Sequence, residues 1–235
     1  MSQTDLVLVI DLDETFVRTC GLTDPMTEAV KHEYFTHPKF LSIKPRLYIL
    51  NINDVQSPRG TGEKFITWGV MRPHGRKFLI FADKYFKEII VWSAGLPKYV
   101  ENIVSKLFWG LRKPRIVFTR DHVKEVPDPQ GAYMAKPLTD LPDIDLAKTL
   151  ALDDRVTTFY FNPENGVALP AYTREEISKS GEKVPREFYP EELFEDDPTF
   201  DEFQSWLETP EVRNCTDVRK LDKTHIFSHE IDLTR

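Results

Sequence analysis

Three short apolar runs, each stopping on a polar residue, constrain this chain more than anything else in it. Leu6-Val7-Leu8-Val9-Ile10 stops at Asp11, Glu88-Ile89-Ile90-Val91-Trp92 stops at Ser93, and Thr149-Leu150-Ala151-Leu152 stops at Asp153-Asp154. Runs that are nearly continuously apolar, rather than alternating, read as strands buried on both faces of a parallel sheet. Helical spacing at His74–Phe86 and Pro97–Phe108 supplies the crossovers that parallel strands need. A further strand is expected at Arg115–Phe118. The expectation is an α/β fold, a three-layer α/β/α arrangement around a Rossmann-like parallel sheet.

Residues 21–70 break that alternation. They hold Pro25, Pro38, Pro45 and Pro58, a turn-like Ser57-Pro58-Arg59-Gly60, and β-prone runs at Arg46–Ile52 and Lys64–Met71. This reads as an insertion of short antiparallel strands after the first sheet strand. The chain is thus expected to divide into a catalytic domain at 1–170 and an acidic, helical extension at 171–235 packed on it. In the extension, Asp197-Pro198 resembles a helix start, and Phe200, Phe203 and Leu207 fall on one helical face. Glu191, Glu192, Glu195, Asp196 and Asp197, just before that helix, are expected to stay at the surface. Phe16, Trp68, Trp92 and Trp109 are read as core residues.

Charge and composition narrow the function classes. The net charge of the 235 residues is −7, and residues 171–235 hold 17 acids against 9 bases, so the remainder is nearly neutral. A nucleic-acid binder shows the opposite bias, so no stable nucleic-acid binding is expected; the basic stretch Lys106, Arg112, Lys113, Arg115, Arg120 and Lys124 reads as a solvated face. The longest strongly apolar run, Leu6–Ile10, is far short of the roughly 20 residues of a membrane span. No signal-peptide pattern opens the chain. Cys20 and Cys215 suffice for neither a disulfide framework nor a four-thiolate zinc site, which points to a reducing, cytoplasmic or nuclear setting.

In open α/β sheets ligands bind beyond the carboxyl ends of the strands. Asp11, Ser93, Asp153 and Asp154 reach that edge, and Asp13, two residues past Asp11, points to the same side if the chain stays extended. So many carboxylates in one place call for a cation. Mg²⁺, a hard ion held by carboxylates, waters and phosphate oxygens, is the natural one.

Asp11-Leu12-Asp13-Glu14-Thr15 is similar to the DxDx(T/V) signature of the haloacid dehalogenase (HAD) superfamily of phosphatases. The DLDET form, with Arg72-Pro73 before a helix, resembles a narrower group, the RNA polymerase II C-terminal-domain (CTD) phosphatases and their small-phosphatase relatives. Val91-Trp92-Ser93-Ala94-Gly95 resembles the second motif, with serine in place of the usual threonine; Ala135-Lys136-Pro137-Leu138 resembles the third, and Asp153-Asp154-Arg155 the fourth. The likeness spans about residues 5–170, with the motifs in order.

The resemblance implies a HAD-like fold and Mg²⁺-dependent hydrolysis of a phosphate monoester. It implies that Asp11 is the nucleophile and a metal ligand, and that Asp13 is the general acid and base, with its carbonyl on the metal. It further implies that Ser93 and Lys136 hold the phosphoryl oxygens, that Asp153 and Asp154 complete the metal shell, and that Thr15, Arg72 and Ala94 contact substrate. The implied partner is a protein phosphorylated on serine or threonine. A small phosphorylated metabolite, a nucleic-acid 3′ phosphate and a non-catalytic phospho-ligand module remain alternatives at this level. Other phosphatase chemistries fail on the residues. Six positions after Cys20 and Cys215 stand Met26 and Leu221, not the arginine of a cysteine-dependent phosphate loop, and Pro73 interrupts an Arg-His-Gly motif at Arg72-Pro73-His74-Gly75.

Overall fold

The computed structural model describes residues 2–20, 36–53, 64–128, 132–179, 181, 183–186, 188–229 and 231. In chain order the strands and α-helices are β1 (Val7–Ile10), β2 (Val17–Cys20), β3 (Leu47–Asn53), β4 (Lys64–Met71), α1 (Gly75–Tyr85), β5 (Glu88–Trp92), α2 (Pro97–Leu107), β6 (Val117–Phe118), β7 (Lys124–Val126), β8 (Tyr133–Ala135), β9 (Thr149–Asp153), β10 (Gly166–Ala168), β11 (Arg174–Ile177), β12 (Lys183–Arg186), α3 (Thr199–Leu207) and α4 (Pro210–Arg213). The Ser57-Pro58-Arg59-Gly60 turn expected in the insertion lies outside the described residues.

The three apolar runs lie side by side. A parallel five-stranded sheet has the order β10-β9-β1-β5-β6, with Val9 of β1 opposite Ile90 on one side and Ala151 on the other. Every residue of β1 is buried, because both faces are covered. Leu8 and Ile10 face a core shared with Phe78 and Leu79 of α1, Val100 and Ile103 of α2, and Phe200 and Phe203 of α3. Val7 and Val9 face a second core with Ile90, Trp92, Leu138, Leu141 and Ala151, covered by single turns of 3-10 helix such as Leu138–Asp140 and Val156–Phe159. The α/β expectation holds, as does the antiparallel pairing expected at 21–70, where β3 and β4 pair; β2, just before that range, completes their separate sheet β2-β4-β3.

One face of that insertion sheet joins the main core through Val17, Tyr48, Leu50 and Ile52. The other is covered by the C-terminal part of the chain: Cys20, Trp68 and Val70 pack with Tyr172, Phe188 and Leu193. Residues 171–235 therefore contribute a hairpin, β11–β12, in addition to helices. The stripe Phe200, Phe203 and Leu207 is buried as its spacing requires, with the Phe200 ring 4.4 Å from Phe16 and 5.1 Å from Phe78. Phe16, Trp68 and Trp92 are in the core, but Trp109 is 80% exposed. It lies past the end of α2, beside the left-handed turn at Gly110, where no helix face directs it inward. Among the described residues, no helix is long and apolar enough to cross a membrane.

The acidic segment departs from expectation. Asp197 is drawn inward to Arg72, which is only 2% exposed: Arg72 Nε donates to Asp197 Oδ2 at 2.9 Å and its Nη2 to Thr199 Oγ1 at 2.8 Å. Burial lowers the pKa of Arg72, and Asp197 opposes that shift. Asp197 also accepts from Thr199 N–H, at the start of α3. Glu192 is gripped by Arg186 through both oxygens, at 2.7 and 2.5 Å. The hydrogen bonds from Arg186 lower its pKa from 4.5 to about 2.

Removing one partner from a buried pair leaves an uncompensated charge, at a cost of roughly 3–5 kcal/mol. Asp197→Asn should approach that loss in chemical denaturation, whereas exposed Glu191→Gln should stay within about 0.5 kcal/mol of wild type. Equal, small effects would show that Asp197 is as dispensable as its surface neighbour. A depressed carboxylate stabilises the fold above its unfolded pKa and loses that contribution as pH falls through the folded value. The gap in melting temperature between the wild-type protein and Glu192→Gln should therefore be full above pH 4.5 and close as the pH falls towards 2. A gap independent of pH would refute it.

Candidate active site

The turn after β1 is shaped by its own backbone. Phe16 and Val17 N–H both donate to Leu12 C=O, Glu14 N–H donates to Val17 C=O, and Glu14 adopts φ 59°. This reversal holds Asp11 and Asp13 at the sheet edge and sends the chain into β2. Asp11 N–H donates to Leu152 C=O, which fixes the end of β1 against the end of β9.

Asp11, Asp153 and Asp154 are buried, and each offers a carboxylate oxygen within 4.8 Å of the others. Lys136, just past β8, reaches into them: its Nζ donates to Asp11 Oδ1 and to Asp153 Oδ2, both at 2.6 Å. Its backbone is held by a hydrogen bond from Lys136 N–H to Thr158 C=O, and Arg155 N–H donates to Asp153 Oδ1. Burial raises the pKa of Asp11 well above the usual carboxylate value; Lys136 pulls it down, and Asp153 and Asp154 push it up again. Burial also opposes the charge on Lys136, but the two aspartates outweigh it and the ammonium is held above its ordinary pKa. Three buried hard-oxygen donors facing one lysine fit a divalent cation of the Mg²⁺ class.

Asp13 stands apart from this trio. Its carboxylate accepts from Tyr99 O–H through Oδ1 and from Ser93 O–H through Oδ2, the latter at 3.4 Å. Burial raises its pKa, and the Tyr99 hydrogen bond works against the rise. Ser93 is fully buried, and its hydroxyl also accepts from Gly95 N–H at 2.9 Å, so it braces the turn as well as Asp13.

A cleft of about 760 Å³ opens above these groups, lined among others by Asp11, Asp13, Ala94, Lys136, Asp153 and Asp154. Thr15 and Arg72, expected at the substrate, do not line it. Thr15 is fully buried, and Arg72 lies beneath the turn, its N–H donating to Phe16 C=O at 2.8 Å and its guanidinium committed to Asp197 and Thr199. The reason is topological: Arg72 follows β4, whose last residue, Met71, pairs with Val17 at the start of β2. Sequence reasoning missed Tyr99, Arg120, Tyr133 and Arg155, all at the cleft or touching its acids. For Tyr99 the only signal was its place in the first turn of a helix that begins just after Ser93. It was hidden because it also sits in the helix's apolar stripe.

The family model for NLI interacting factor-like phosphatases matches residues 6–184. No curated protein matches the sequence. Among solved structures, the fission yeast RNA polymerase II CTD phosphatase Fcp1 bound to beryllium fluoride aligns with a TM-score of 0.52 and 20% identity, over 72% of this chain and 42% of that one. A second structure of Fcp1, described as an essential RNA polymerase II CTD phosphatase, aligns with a TM-score of 0.53 and 17% identity, over 93% of this chain and 59% of that one. At such identity the likeness is one of fold, and this chain spans less than two thirds of either neighbour. The family model covers most of the sequence and all four motifs, so the chain belongs to the NLI interacting factor-like phosphatases, within the haloacid dehalogenase type.

Proposed function

We propose that this protein is a Mg²⁺-dependent phosphatase that removes phosphate from serine or threonine side chains of a protein, through an aspartyl-phosphate on Asp11. The observation that carries this reading is the meeting of Asp11, Lys136, Asp153 and Asp154 on the floor of the open cleft, with Asp13 beside them. A nucleophilic carboxylate and a separate proton-carrying carboxylate are what a two-step hydrolysis requires.

Asp11, Asp153 and Asp154 would hold Mg²⁺, as would the Asp13 carbonyl by family resemblance; the ion supplies positive charge against the phosphate dianion. Lys136 already neutralises part of the carboxylate cluster and is placed to take the charge of a phosphoryl oxygen. In the first step an Asp11 oxygen forms a bond to phosphorus, and the bond from phosphorus to the substrate oxygen breaks. The departing oxygen keeps the electron pair and takes the proton from Asp13. In the second step water gives a proton to Asp13 and bonds to phosphorus, the bond to Asp11 breaks, and inorganic phosphate leaves.

A phosphoprotein is favoured over a compact metabolite because the cleft is half-open rather than a closed chamber around one small ligand. The acidic balance of the chain disfavours a polyanionic nucleic acid. A panel of phosphoserine and phosphothreonine peptides, sugar phosphates and 3′-phosphorylated oligonucleotides tests the substrate class; a kcat/KM highest for a sugar phosphate or an oligonucleotide would reassign it.

Asp11→Asn, which keeps volume but removes the nucleophile, should abolish turnover of an aryl phosphate while the protein still unfolds cooperatively. Substantial residual turnover would sink the covalent step. A chelator should stop the reaction and Mg²⁺ restore it, with Ca²⁺ a poor substitute because it prefers looser, higher coordination. Full activity in chelator would refute the metal requirement.

A further inference from the structure

Tyr99 is the end of a hydrogen-bond chain that the proposed chemistry has not used. Its hydroxyl donates to Asp13 Oδ1 and lies 2.5 Å from Thr19 Oγ1, which in turn lies 2.7 Å from the Tyr48 hydroxyl. Each of these hydroxyls has one proton to give. Because Tyr99 spends its proton on Asp13, Thr19 must donate to Tyr99 and Tyr48 to Thr19. The chain therefore runs in one direction, from the insertion sheet to the carboxylate, and each donor polarises the next.

The sheet register builds this chain. Gly69 of β4 pairs with Thr19 of β2 on one side and with Tyr48 of β3 on the other. A Cβ at position 69 would overlap the ring and hydroxyl of Tyr48, so the missing side chain is what lets that ring cross β4 to reach Thr19. Gly95 does the same at the other end: a Cβ there would lie 2.8 Å from the Tyr99 ring and 3.1 Å from Ser93 Oγ. The residues come from β2, β3 and the first turn of α2, and Tyr48 and Tyr99 are both buried. A buried polar chain of this kind fixes one geometry.

We propose that Tyr99, backed by Thr19 and Tyr48, is the positioning residue for Asp13: it pins Oδ1 and leaves Oδ2 as the oxygen that exchanges the proton with the leaving group and with water. Among the described residues Oδ2 has just the long 3.4 Å contact from Ser93, so with Oδ1 pinned it is the oxygen that can give or take a proton without losing a strong bond. The antiparallel insertion thereby enters the proton-transfer step although Thr19 and Tyr48 do not line the cleft. This inference rests on the reading of Asp13 as the general acid and base.

The test compares kcat and KM, read from single-turnover release of the alcohol so that the first step alone is measured, for p-nitrophenyl phosphate, whose leaving group needs no proton, and for an alkyl phosphate, whose leaving group does. The variants are Asp13→Asn, Tyr99→Phe, Tyr48→Phe and the double variant of the first two. General acid catalysis contributes about 10²–10⁴-fold, so Asp13→Asn should lose on that order with the alkyl ester and far less with the aryl one. Tyr99→Phe should show the same pattern in kcat, about 10-fold or more with the alkyl ester, at unchanged KM. Because Tyr99 acts only through Asp13, the double variant should be no slower than Asp13→Asn. Tyr48→Phe should show the pattern in reduced form, and it carries the test if Tyr99→Phe does not fold.

A Tyr99→Phe loss equal for both esters, a change in KM alone, or a double variant slower than Asp13→Asn would overturn the proposal. So would a Tyr48→Phe protein identical to wild type, as to the chain beyond Tyr99. If Asp13→Asn is itself blind to the leaving group, the acid–base reading fails first and takes this proposal with it. The Asp13→Asn result alone distinguishes that case.

Discussion

Lys136 placed between Asp11 and Asp153 is the interaction on which the rest of this structure depends. The parallel sheet brings the ends of β1 and β9 together, and with them three aspartates that would otherwise repel one another in a buried site. A lysine bridging two of them at 2.6 Å makes the sheet edge tolerable to the fold and keeps it polar enough to be useful. The end of β8 and the turn at 156–159 are joined beside this contact, since Lys136 N–H donates to Thr158 C=O. The compensation is incomplete, and Asp11 stays above its ordinary pKa. Catalytic carboxylates are commonly found in that condition, held against their electrostatic preference by a scaffold that is stable for other reasons.

Those other reasons lie in the two aromatic and aliphatic cores. Phe16, directly behind the Asp11–Thr15 turn, is fully buried against Phe78 and Phe200, so the turn's position is set by packing on α1 and α3. Arg72 adds a polar tie from below, with Nη1 3.4 Å from Thr15 C=O and Nε on Asp197. Tyr172 N–H donates to Glu14 C=O at 2.6 Å. The loop that carries Asp11 and Asp13 is thus held by segments from distant parts of the sequence.

How much of this was legible in the sequence follows from that geometry. The strands β1, β5 and β9, and the acids at their ends, were readable because apolar runs and the residues that stop them are local patterns. Helices α1, α2 and α3 were readable from their stripes. Arg72 was placed at the substrate by resemblance, and only the pairing of Met71 with Val17 shows that it falls beneath the turn. Tyr48 and Tyr99 lie 29 and 80 positions from Thr19 along the chain, and a register through Gly69 that no periodicity reveals brings them together. Asp197 read as one acid in a solvated run, because the arginine that draws it in is 125 residues away.

The central position of β1 has a consequence for how the molecule comes into being. Synthesised before both of its neighbours, β1 is a fully apolar strand that pairs with residues 88–91 and 149–152. The turn that follows it waits longer still, for Tyr172, Asp197 and Phe200. Pairings across such separations form slowly, because loop closure must precede the contacts that reward it. On a ribosome the acids of the site would emerge long before the segments that hold them. The active geometry cannot be complete before those later residues have been made, and until then the edges of β1 are what an emerging chain must protect from other chains.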